Sequence, residues 1–366
     1  MKEKKIHRIS SIHPKIDGIS IFSQLISSER SCSVESMDRS KVEQAYRHFR
    51  DLAIDSQDLL GVRYLVELER IPTALEFSRY VAANRPFVVR GGAQSWPAME
   101  KWSNEYLTSV IGEEEVTVAT TPNGYADAVV NEQYFVMPYE TREKFSDFVE
   151  WLEKKEGIHY IQSQNGNLKN DYKLLQEDVP EDIEWASLAL DKKPDAVNFW
   201  MGDTRSTTSV HKDPYENIYA VIAGTKIFTL LPPTDYYCLH EKEYPAATWA
   251  KDHNGEFVIK PEVPETMVPW ISLDPTKPEY SKFPRFQYAN PLTVEVNPGD
   301  MLYLPSMWYH HVAQREDSNG RVLAVNYWYD VEYGTPFTYF QFMTSTLKFM
   351  DKLNEEEGHE ETFDSE

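Results

Sequence analysis

The chain has 366 residues, of which 41% are hydrophobic and 13% aromatic, and it carries 37 Lys and Arg against 59 Asp and Glu, a formal net charge of -22 at pH 7. The apolar content suffices for a large core and excludes a wholly disordered chain. The negative charge repels the phosphate backbone, so we expect a protein or peptide partner and no direct nucleic-acid binding. Acidity that merely keeps the protein soluble is an equally simple interpretation.

Cysteine usage and the first residues bear on the cellular compartment. Cys32 and Cys238 are the two cysteines of the sequence, too few for a disulfide framework or a cysteine-ligated structural zinc site. The start, MKEKKIHRISSIHPKID, lacks the apolar segment of a signal peptide, and no run is apolar over the length of a membrane span. We expect a soluble protein of the cytoplasm, the nucleus or both, with no membrane partner.

The first part of the chain predicts an arm followed by a helical and α/β region. Residues 1–40 are rich in Ser, Lys and Arg, which indicates a flexible N-terminal arm. Apolar residues at helical spacing predict two consecutive helices within residues 41–68, which the dipeptide Ile71-Pro72 ends. TALEFSRYVAANRP predicts a helix, FSDFVEWLEKKEG one that ends at Gly157, and FVVRGG and VTVAT predict strands. We assign residues 41–158 to this N-terminal part.

Short β-rich runs dominate the rest of the chain: YIQSQ, AVNFWMG, IYAVIAGTKIFTLLPP, LTVEVNPGDMLYLP, WYHHVAQ and RVLAVNYWYD. The segment Asn297-Pro298-Gly299-Asp300 fits a type II turn and predicts that LTVEV and MLYLP form a hairpin. Many short strands with tight turns predict a mainly β protein with helical additions, either a sandwich or a jelly-roll barrel. We assign residues 159–335 to this core, 336–350 to a C-terminal helix and 351–366 to an acidic tail.

Histidine and aspartate residues in the β-rich part suggest a metal site. His211 and Asp213 are two residues apart at a predicted strand edge, where the period of two directs both side chains to one face. His310 and His311, on a later strand, face opposite ways, so one of them can supply a third ligand. Two imidazoles and one carboxylate leave three coordination positions open, as non-haem iron oxygenases require. A His-x-Asp pair taken alone also occurs by chance.

Lys226 is a second unusual residue, because it lies within the hydrophobic run AVIAGTKIFTLLPP, where an unpaired ammonium is costly. Either its aliphatic stem carries the charge to water, or the ammonium pairs with an anionic ligand such as a dicarboxylate. Thr208 and Asn217, on either side of the His-x-Asp pair, offer further hydrogen bonds.

Longer motifs around these residues carry a family resemblance. TSVHKDPYENIYAVIAGTKIFTLLPP, NPGDMLYLPSMWYHHV and RVLAVNYWYD resemble the JmjC-domain oxygenases, which depend on Fe(II), 2-oxoglutarate and dioxygen. RPFVVRGG, WPAMEKWS, TPNGYADAV, FVMP, PDAVNFWMG and VPWISLDP extend the likeness over roughly residues 42–347. The resemblance implies a double-stranded β-helix (jelly-roll, cupin) core in which His211, Asp213 and His310 bind the catalytic iron, with His311 as a neighbour.

The same resemblance implies a cosubstrate pocket. In it Lys226 binds the distal carboxylate of 2-oxoglutarate, Thr208 and Tyr160 donate hydroxyl groups, and Asn217 and Asn326 line the walls. A strand tyrosine such as Tyr160 is otherwise more often a core or rim residue.

The likeness within the family is to a protein lysyl hydroxylase whose substrates are developmentally regulated GTP-binding proteins, so we expect C-hydroxylation of a lysine side chain in such a GTPase. The sequence leaves open a histone lysine demethylase or histone-tail peptidase of JmjC type, and a cupin that binds partners without catalysis.

Several residues near the motifs remain ambiguous in the sequence. Asp203 and Glu216 are candidates to receive a substrate ammonium, and equally candidates for solvated strand-edge charges. Trp200, Trp308 and Trp328 could be substrate platforms, although large aromatics in β-rich cores mostly pack. The apolar positions of FTYFQFMTSTLKFMDKL could pack on the barrel or join two subunits in a homodimer.

Overall fold

The computed structural model describes residues 39–59, 64–164 and 166–356. The predicted N-terminal arm lies outside these ranges except for its last two residues, and the acidic tail lies outside them beyond residue 356. Cys32 is also outside them, whereas Cys238 is a buried free thiol. No helix in the described ranges has the length and apolar character needed to cross a membrane.

The helices frame the β-rich core at both ends of the chain. They are α1 (Arg39–Leu59), α2 (Ala74–Ala82), α3 (Pro97–Lys101), α4 (Asn104–Ile111), α5 (Phe145–Lys154), α6 (Asn167–Asn170), α7 (Glu184–Leu190) and α8 (Thr335–Glu356), with 3₁₀ turns at Lys173–Asp178, Pro233–Leu239 and Pro284–Tyr288. Helix α2 begins where the sequence predicts, because Thr73 and Glu76 form a reciprocal capping box.

The first strands are β1 (Val66–Leu68), β2 (Phe87–Val89), β3 (Glu115–Thr120), β4 (Tyr125–Ala126), β5 (Ala128–Val130), β6 (Tyr134–Met137), β7 (Tyr139–Lys144) and β8 (His159–Tyr160). The later strands are β9 (Ala196–Gly202), β10 (Thr207–His211), β11 (Tyr215–Ala223), β12 (Thr225–Leu231), β13 (Lys242–Lys251), β14 (Phe257–Pro261), β15 (Met267–Trp270), β16 (Leu292–Val296), β17 (Met301–Leu304), β18 (Tyr309–Arg315) and β19 (Val322–Asp330).

Two sheets form the barrel. The major sheet has the order β1-β2-β17-β11-β19-β9, and the minor sheet has the order β16-β12-β18-β10-β4. Side chains from both sheets, such as Tyr219 and Val221 of the major and Phe228 and Leu230 of the minor, meet in one buried cluster. The two sheets therefore face each other across a shared interior, as in the jelly-roll that the sequence predicts.

Helices cover the outer faces of both sheets. Alternate residues of β19, Leu323 and Val325 among them, pack outward against apolar residues of helices α2, α4, α5 and α7. On the minor sheet, outward-facing Tyr309 packs in a cluster with Ala53 of α1 and Leu347 of α8. The interior between the sheets is thereby closed from both sides, and a site inside it is sheltered from water.

Gly224 shows why the chain can cross from one sheet to the other between β11 and β12. Its φ is +67°, and a Cβ there would lie 2.8 Å from the carbonyl oxygens of both Arg315 and Arg321. Only glycine adopts this conformation without strain and fits so close to two backbones.

The predicted turn before β17 is present, but the predicted hairpin is wrong. The Asp300 N–H donates to the Asn297 carbonyl at 2.9 Å, and Gly299 has a φ of +88°. Strand β16, however, pairs with β12 in the minor sheet, whereas β17 pairs with β11 and β2 in the major sheet. The turn therefore carries the chain between sheets, a long-range outcome that local turn chemistry does not encode.

Three helix predictions differ from the structure. The second helix expected within residues 41–68 is wrong in its last residues, because Val66–Leu68 is a strand parallel to β2. Helix α5 ends before Gly157, since Lys155 already adopts a left-handed conformation with φ of 57°. The C-terminal helix continues to Glu356 rather than to residue 350.

Candidate functional site

A triad of two histidines and one aspartate lies at one end of the barrel interior. His211, the last residue of β10, is directly opposite His310 of β18 in the antiparallel register. Asp213 follows β10, and its Oδ2 lies 3.7 Å from Nε2 of His211 and 3.6 Å from Nε2 of His310. Donor atoms of all three side chains lie within 4.8 Å of one another. The geometry could hold one metal ion.

Backbone carbonyls orient both imidazoles. His211 Nδ1 lies 2.9 Å from the Ser209 carbonyl oxygen, and His310 Nδ1 lies 3.0 Å from that of Trp308. With Nδ1 donating to a carbonyl, the lone pair is on Nε2, which faces the aspartate. Burial, together with the charge on His211, lowers the pKa of His310 well below its ordinary value, so the ring is neutral, as a metal ligand must be.

A β-bulge sets which residues of β10 face the interior. Thr208 pairs with Val312 and His211 with His310, so two residues of β10, Ser209 and Val210, lie opposite the single residue His311 of β18. Both Thr208 and His211 thus face the interior, although an odd spacing puts strand residues on opposite faces. The bulge adds Thr208 to the wall of the interior, at the level of Val312.

His311, the second member of the tandem pair, faces away from the triad. It is buried at 4% exposure, and neither ring nitrogen has a hydrogen-bond partner among the described residues. His311 is therefore a packed neighbour of the site, and His310 is the histidine on the triad side.

Lys226 is inside the barrel, at 2% exposure. Its Nζ donates to the Tyr160 hydroxyl at 2.8 Å and to Oε1 of Gln314. No carboxylate of the described residues forms an ion pair with it, and burial lowers its pKa to about 7. The aliphatic stem of Lys226 therefore does not carry its charge to water, and the pocket holds a buried ammonium whose charge is uncompensated. This is the environment that an anionic ligand fits.

Three amides form a row on the inner face of the major sheet. Asn326 donates to Asn217 at 3.1 Å, and Asn198 donates to Asn326 at 3.2 Å. Trp200 also donates to Asn326, through Nε1 at 2.8 Å. Asn217 and Asn326 are thus brought together as interior polar residues. Asn198 and Gln314 were missed by sequence reasoning, although an amide in an otherwise apolar strand was the available signal.

The two acidic candidates for a substrate ammonium are already engaged elsewhere. Asp203 is fully buried and paired with Arg205 at 2.7 Å and Lys155 at 3.5 Å. Glu216 accepts hydrogen bonds from Tyr303 Oη at 2.6 Å and Ser306 Oγ at 2.9 Å. Both carboxylates are committed to these partners, so neither is a free acceptor for a substrate ammonium.

Of the three tryptophans that the sequence singled out, Trp308 and Trp328 are packing residues, whereas Trp200 donates to Asn326 in the barrel interior. Trp308 donates to Asn84, and Trp328 stacks on Tyr215 with ring centroids 4.8 Å apart. The aromatic ring beside the triad is Trp270, which lies parallel to His211 at 6.2 Å and donates to Ser209 Oγ at 2.9 Å. Sequence reasoning missed it, because the strand that carries it is distant in the chain.

A cleft of about 330 Å³ opens next to the triad, with His211 on its wall. Its lining is largely apolar and includes Trp270, Met307, and Phe337 of α8. Four charged residues also line it, namely Lys212, Glu241, Glu243 and Lys348. The cleft gives a side chain from outside a route to the triad.

The two glutamates of the cleft differ in how closely they are paired with lysines. Glu241 is 3.2 Å from Lys212 and 2.9 Å from Lys348. Burial acts to raise its pKa, but the two lysines outweigh it and lower the pKa to about 2. Glu243 is more open, with a half-exposed side chain 3.9 Å from Lys348. Glu243 is therefore the cleft carboxylate that an incoming cation could reach.

Comparison with known proteins places these features in a family context. A model of the cupin-like domain matches residues 72–335. The chain is 39% identical over 316 residues to the human bifunctional peptidase and (3S)-lysyl hydroxylase JMJD7, covering 85% of this chain and 98% of that protein. It is 39% identical over 336 residues to JmjC domain-containing protein E of Dictyostelium discoideum, covering 83% and 95%. It is 36% identical over 341 residues to lysine-specific demethylase JMJ32 of Arabidopsis thaliana, covering 89% and 97%.

Proposed function

The chain belongs to the cupin-like domain family and is a JmjC protein, and on that premise we propose that it is an Fe(II)- and 2-oxoglutarate-dependent oxygenase that hydroxylates a lysine side chain of a protein. The observation that carries the proposal is the pairing of a two-histidine, one-aspartate triad with a buried, unneutralised lysine inside one barrel. Bound iron, 2-oxoglutarate and dioxygen together supply the oxidising power to place one oxygen atom in a C–H bond.

His211, Asp213 and His310 are the proposed iron ligands. Three protein ligands on one side leave room for a chelating cosubstrate and for dioxygen. The carbonyl contacts at both Nδ1 atoms fix the rings before the metal arrives, so little rearrangement accompanies binding. Asp213 supplies the negative charge, which offsets part of the charge of a divalent cation.

Lys226 is the proposed partner of the distal carboxylate of 2-oxoglutarate. Gln314 lies opposite Lys226 on β18, four residues from His310 and on the same face of that strand. Gln314 and His310 are therefore about 13 Å apart along the strand. The Lys226 side chain at one end of this span and the triad at the other leave space between them for a short dicarboxylate. Tyr160 holds the ammonium at 2.8 Å, and burial raises the pKa of this phenol, so it remains a hydroxyl donor.

Thr208, Asn217 and Asn326 are the proposed remaining contacts of the cosubstrate pocket. The bulge in β10 turns Thr208 toward the interior. Asn326 and Asn217 are linked by a hydrogen bond and are 1% and 4% exposed. Fixed dipoles of this kind orient a polar ligand without the reorganisation that water would need.

The substrate lysine is proposed to enter through the cleft beside His211. Apolar groups such as Trp270 and Met307 suit the methylene chain of a lysine, and Glu243 suits its ammonium. The (3S)-lysyl hydroxylase activity in the name of the human relative supports lysine as the target. We further propose, from the family resemblance, that the protein substrate is a developmentally regulated GTP-binding protein. The net charge of -22 would favour a basic segment as the part that binds.

A homodimer is proposed through the outer face of α8. Phe340, Leu347 and Met350 are buried against the barrel. Tyr339 and Phe342, on the other side of the helix, are 69% and 70% exposed. Large aromatics exposed at helical spacing are typical of an interface.

Succinate release tests the proposed function. The Fe(II)-loaded protein should convert 2-oxoglutarate faster when a lysine-containing fragment of a developmentally regulated GTP-binding protein is added. The His211→Ala variant should lose both the basal and the stimulated release. Iron binding without any turnover would instead support a cupin that serves as a binding module.

A further inference from the structure

We propose that Gln314 is a positioning residue for the cosubstrate: it holds the Lys226 ammonium in the barrel interior while leaving its charge uncancelled, and so sets the affinity of the pocket for a dicarboxylate. The inference rests on the proposed function and deepens it. It concerns a residue outside the metal triad that no sequence motif singled out.

The orientation of the Gln314 amide is fixed from both ends. Gln314 is opposite Lys226 in the register of β12 and β18. Its Nε2 donates to the Asp203 carbonyl at 2.5 Å, and its Oε1 accepts from the Lys226 Nζ. Because a carbonyl oxygen accepts only from the NH₂ group, the Oε1 must face the ammonium. Gln314 is 4% exposed, so these bonds are shielded from bulk solvent.

The neutrality of Gln314 is the second part of the inference. Lys226 has two acceptors, the Tyr160 hydroxyl and Gln314 Oε1, and both are uncharged. Elsewhere in this protein a buried carboxylate such as Glu241 pairs with lysines and cancels their charge. A glutamate at position 314 would cancel the charge of Lys226 in the same way and compete with a bound carboxylate. An amide oxygen also accepts a hydrogen bond from the ammonium, but it carries no charge that would compete with the ligand.

Tight packing around Gly202 shows that this arrangement is built into the core. A Cβ at Gly202 would lie 2.6 Å from Cδ2 of Tyr160 and 3.1 Å from Nε2 of Gln314. Tyr160 and Gln314, the two acceptors of Lys226, therefore both pack against Gly202, each from a different strand. Their positions, and with them that of the ammonium, are set by packing before any ligand enters.

Binding of 2-oxoglutarate to the full-length, Mn(II)-loaded protein tests the inference by calorimetry, without turnover. Gln314→Glu should weaken binding roughly ten- to hundredfold, because the new carboxylate would replace the ligand carboxylate as the charged partner of Lys226. Gln314→Met, which keeps the shape, should weaken it about three- to tenfold. Gln287→Glu adds the same charge at an exposed position and should leave affinity unchanged.

The pH dependence separates positioning from a general structural role. Affinity in the wild type should fall as pH rises above about 7, when Lys226 loses its proton. In Gln314→Met the fall should begin at lower pH, because the charged form has lost an acceptor. An unchanged pH profile in Gln314→Met, or Gln314→Glu binding within about twofold of wild type, would overturn the inference. A wild-type protein that does not bind 2-oxoglutarate would overturn the proposed function as well.

Discussion

His211 and His310 lie directly opposite each other on two antiparallel strands, with their ring centroids 4.1 Å apart. Two imidazoles this close repel each other when both are protonated, and burial already disfavours the charged form of His310. The arrangement therefore favours a neutral His310, whose Nε2 can bind a cation. Register, and not sequence proximity, creates this relationship.

The tandem histidines should differ sharply in metal binding. His310→Ala should weaken Mn(II) affinity by more than about a hundredfold, because a ligand is lost rather than a supporting contact. His311→Ala, the matched control on the other face of β18, should leave affinity within about threefold. Metal titration of both purified variants measures this. Equal losses in the two variants would argue that His310 is not a ligand.

Replacing Lys226 should stabilise the protein while abolishing cosubstrate binding. Lys226→Met removes a buried, uncompensated charge and should raise the free energy of unfolding by about 1–4 kcal/mol. The folded-state pKa of about 7 lies below the unfolded value of about 10.4, so the wild-type penalty is complete below pH 7. The gain from Lys226→Met should then shrink as pH rises from 7 toward 10.4.

Chemical denaturation at pH 6.5 and pH 9.5 measures that stability difference. Lys226→Arg keeps a charge across this range and serves as the control for 2-oxoglutarate binding, whose pH dependence should disappear in this variant. A Lys226→Met protein less stable than wild type at pH 6.5 would contradict the account.

Asp235 predicts a second pH effect, away from the site. Burial raises the pKa of its carboxyl to about 7, although the Asn290 backbone N–H partly offsets this. Since the unfolded value is about 3.9, wild-type stability should fall as pH rises from 4 to 7 and then level off. Asp235→Asn should therefore be more stable than wild type at pH 8, by about 1–3 kcal/mol, and similar to it near pH 4.

The control for Asp235 is Asp55→Asn on the exposed face of α1, which should match wild type at both pH values. Thermal melts of the three proteins give the comparison. An Asp235→Asn variant that melts below wild type at pH 8 would show that the carboxylate is needed in its charged form.

The cleft carboxylate Glu243 should govern substrate affinity rather than turnover. Glu243→Gln keeps the shape but removes the charge, and should raise KM for a lysine-containing substrate about three- to thirtyfold at nearly unchanged kcat. Glu279→Gln, at an exposed position outside the cleft, is the charge-matched control. A lowered kcat with constant KM would place Glu243 in the chemistry instead.

The exposed face of α8 should control the oligomeric state. Phe342→Glu places a charge on the exposed aromatic face and should convert a dimer to monomers in analytical ultracentrifugation. Lys352→Glu, at an exposed position of the same helix, serves as the control. A wild-type chain that is monomeric at high concentration would contradict the proposed homodimer.

The strand runs, the His211-x-Asp213 pair and the burial of Lys226 could be predicted because their signals are local. The run AVNFWMG coincides with β9. A single charged residue within an apolar run indicates burial, and Lys226, which lies in such a run, is buried. In contrast, the bulge between Thr208 and His211 depends on pairing with β18. No spacing within β10 itself reveals it.

Contacts between residues on strands that only the sheet order brings together could not be predicted from the sequence. Gln314 meets Lys226 across β12 and β18, and Trp270 reaches His211 from β15. The hairpin error at Gly299 has the same origin, since the turn is local and the choice of sheet is not. Periodicity gives the face of each strand, whereas partners require the topology.

Lysyl hydroxylation is measured by mass spectrometry of a lysine-containing fragment of a developmentally regulated GTP-binding protein, after incubation with the Fe(II)-loaded protein and 2-oxoglutarate. A lysine of the fragment should gain one oxygen atom, and this gain should be absent with His211→Ala. Loss of a methyl group from a methylated histone peptide, or cleavage of that peptide, with no oxygen gained by the lysine, would contradict the proposed lysyl hydroxylation.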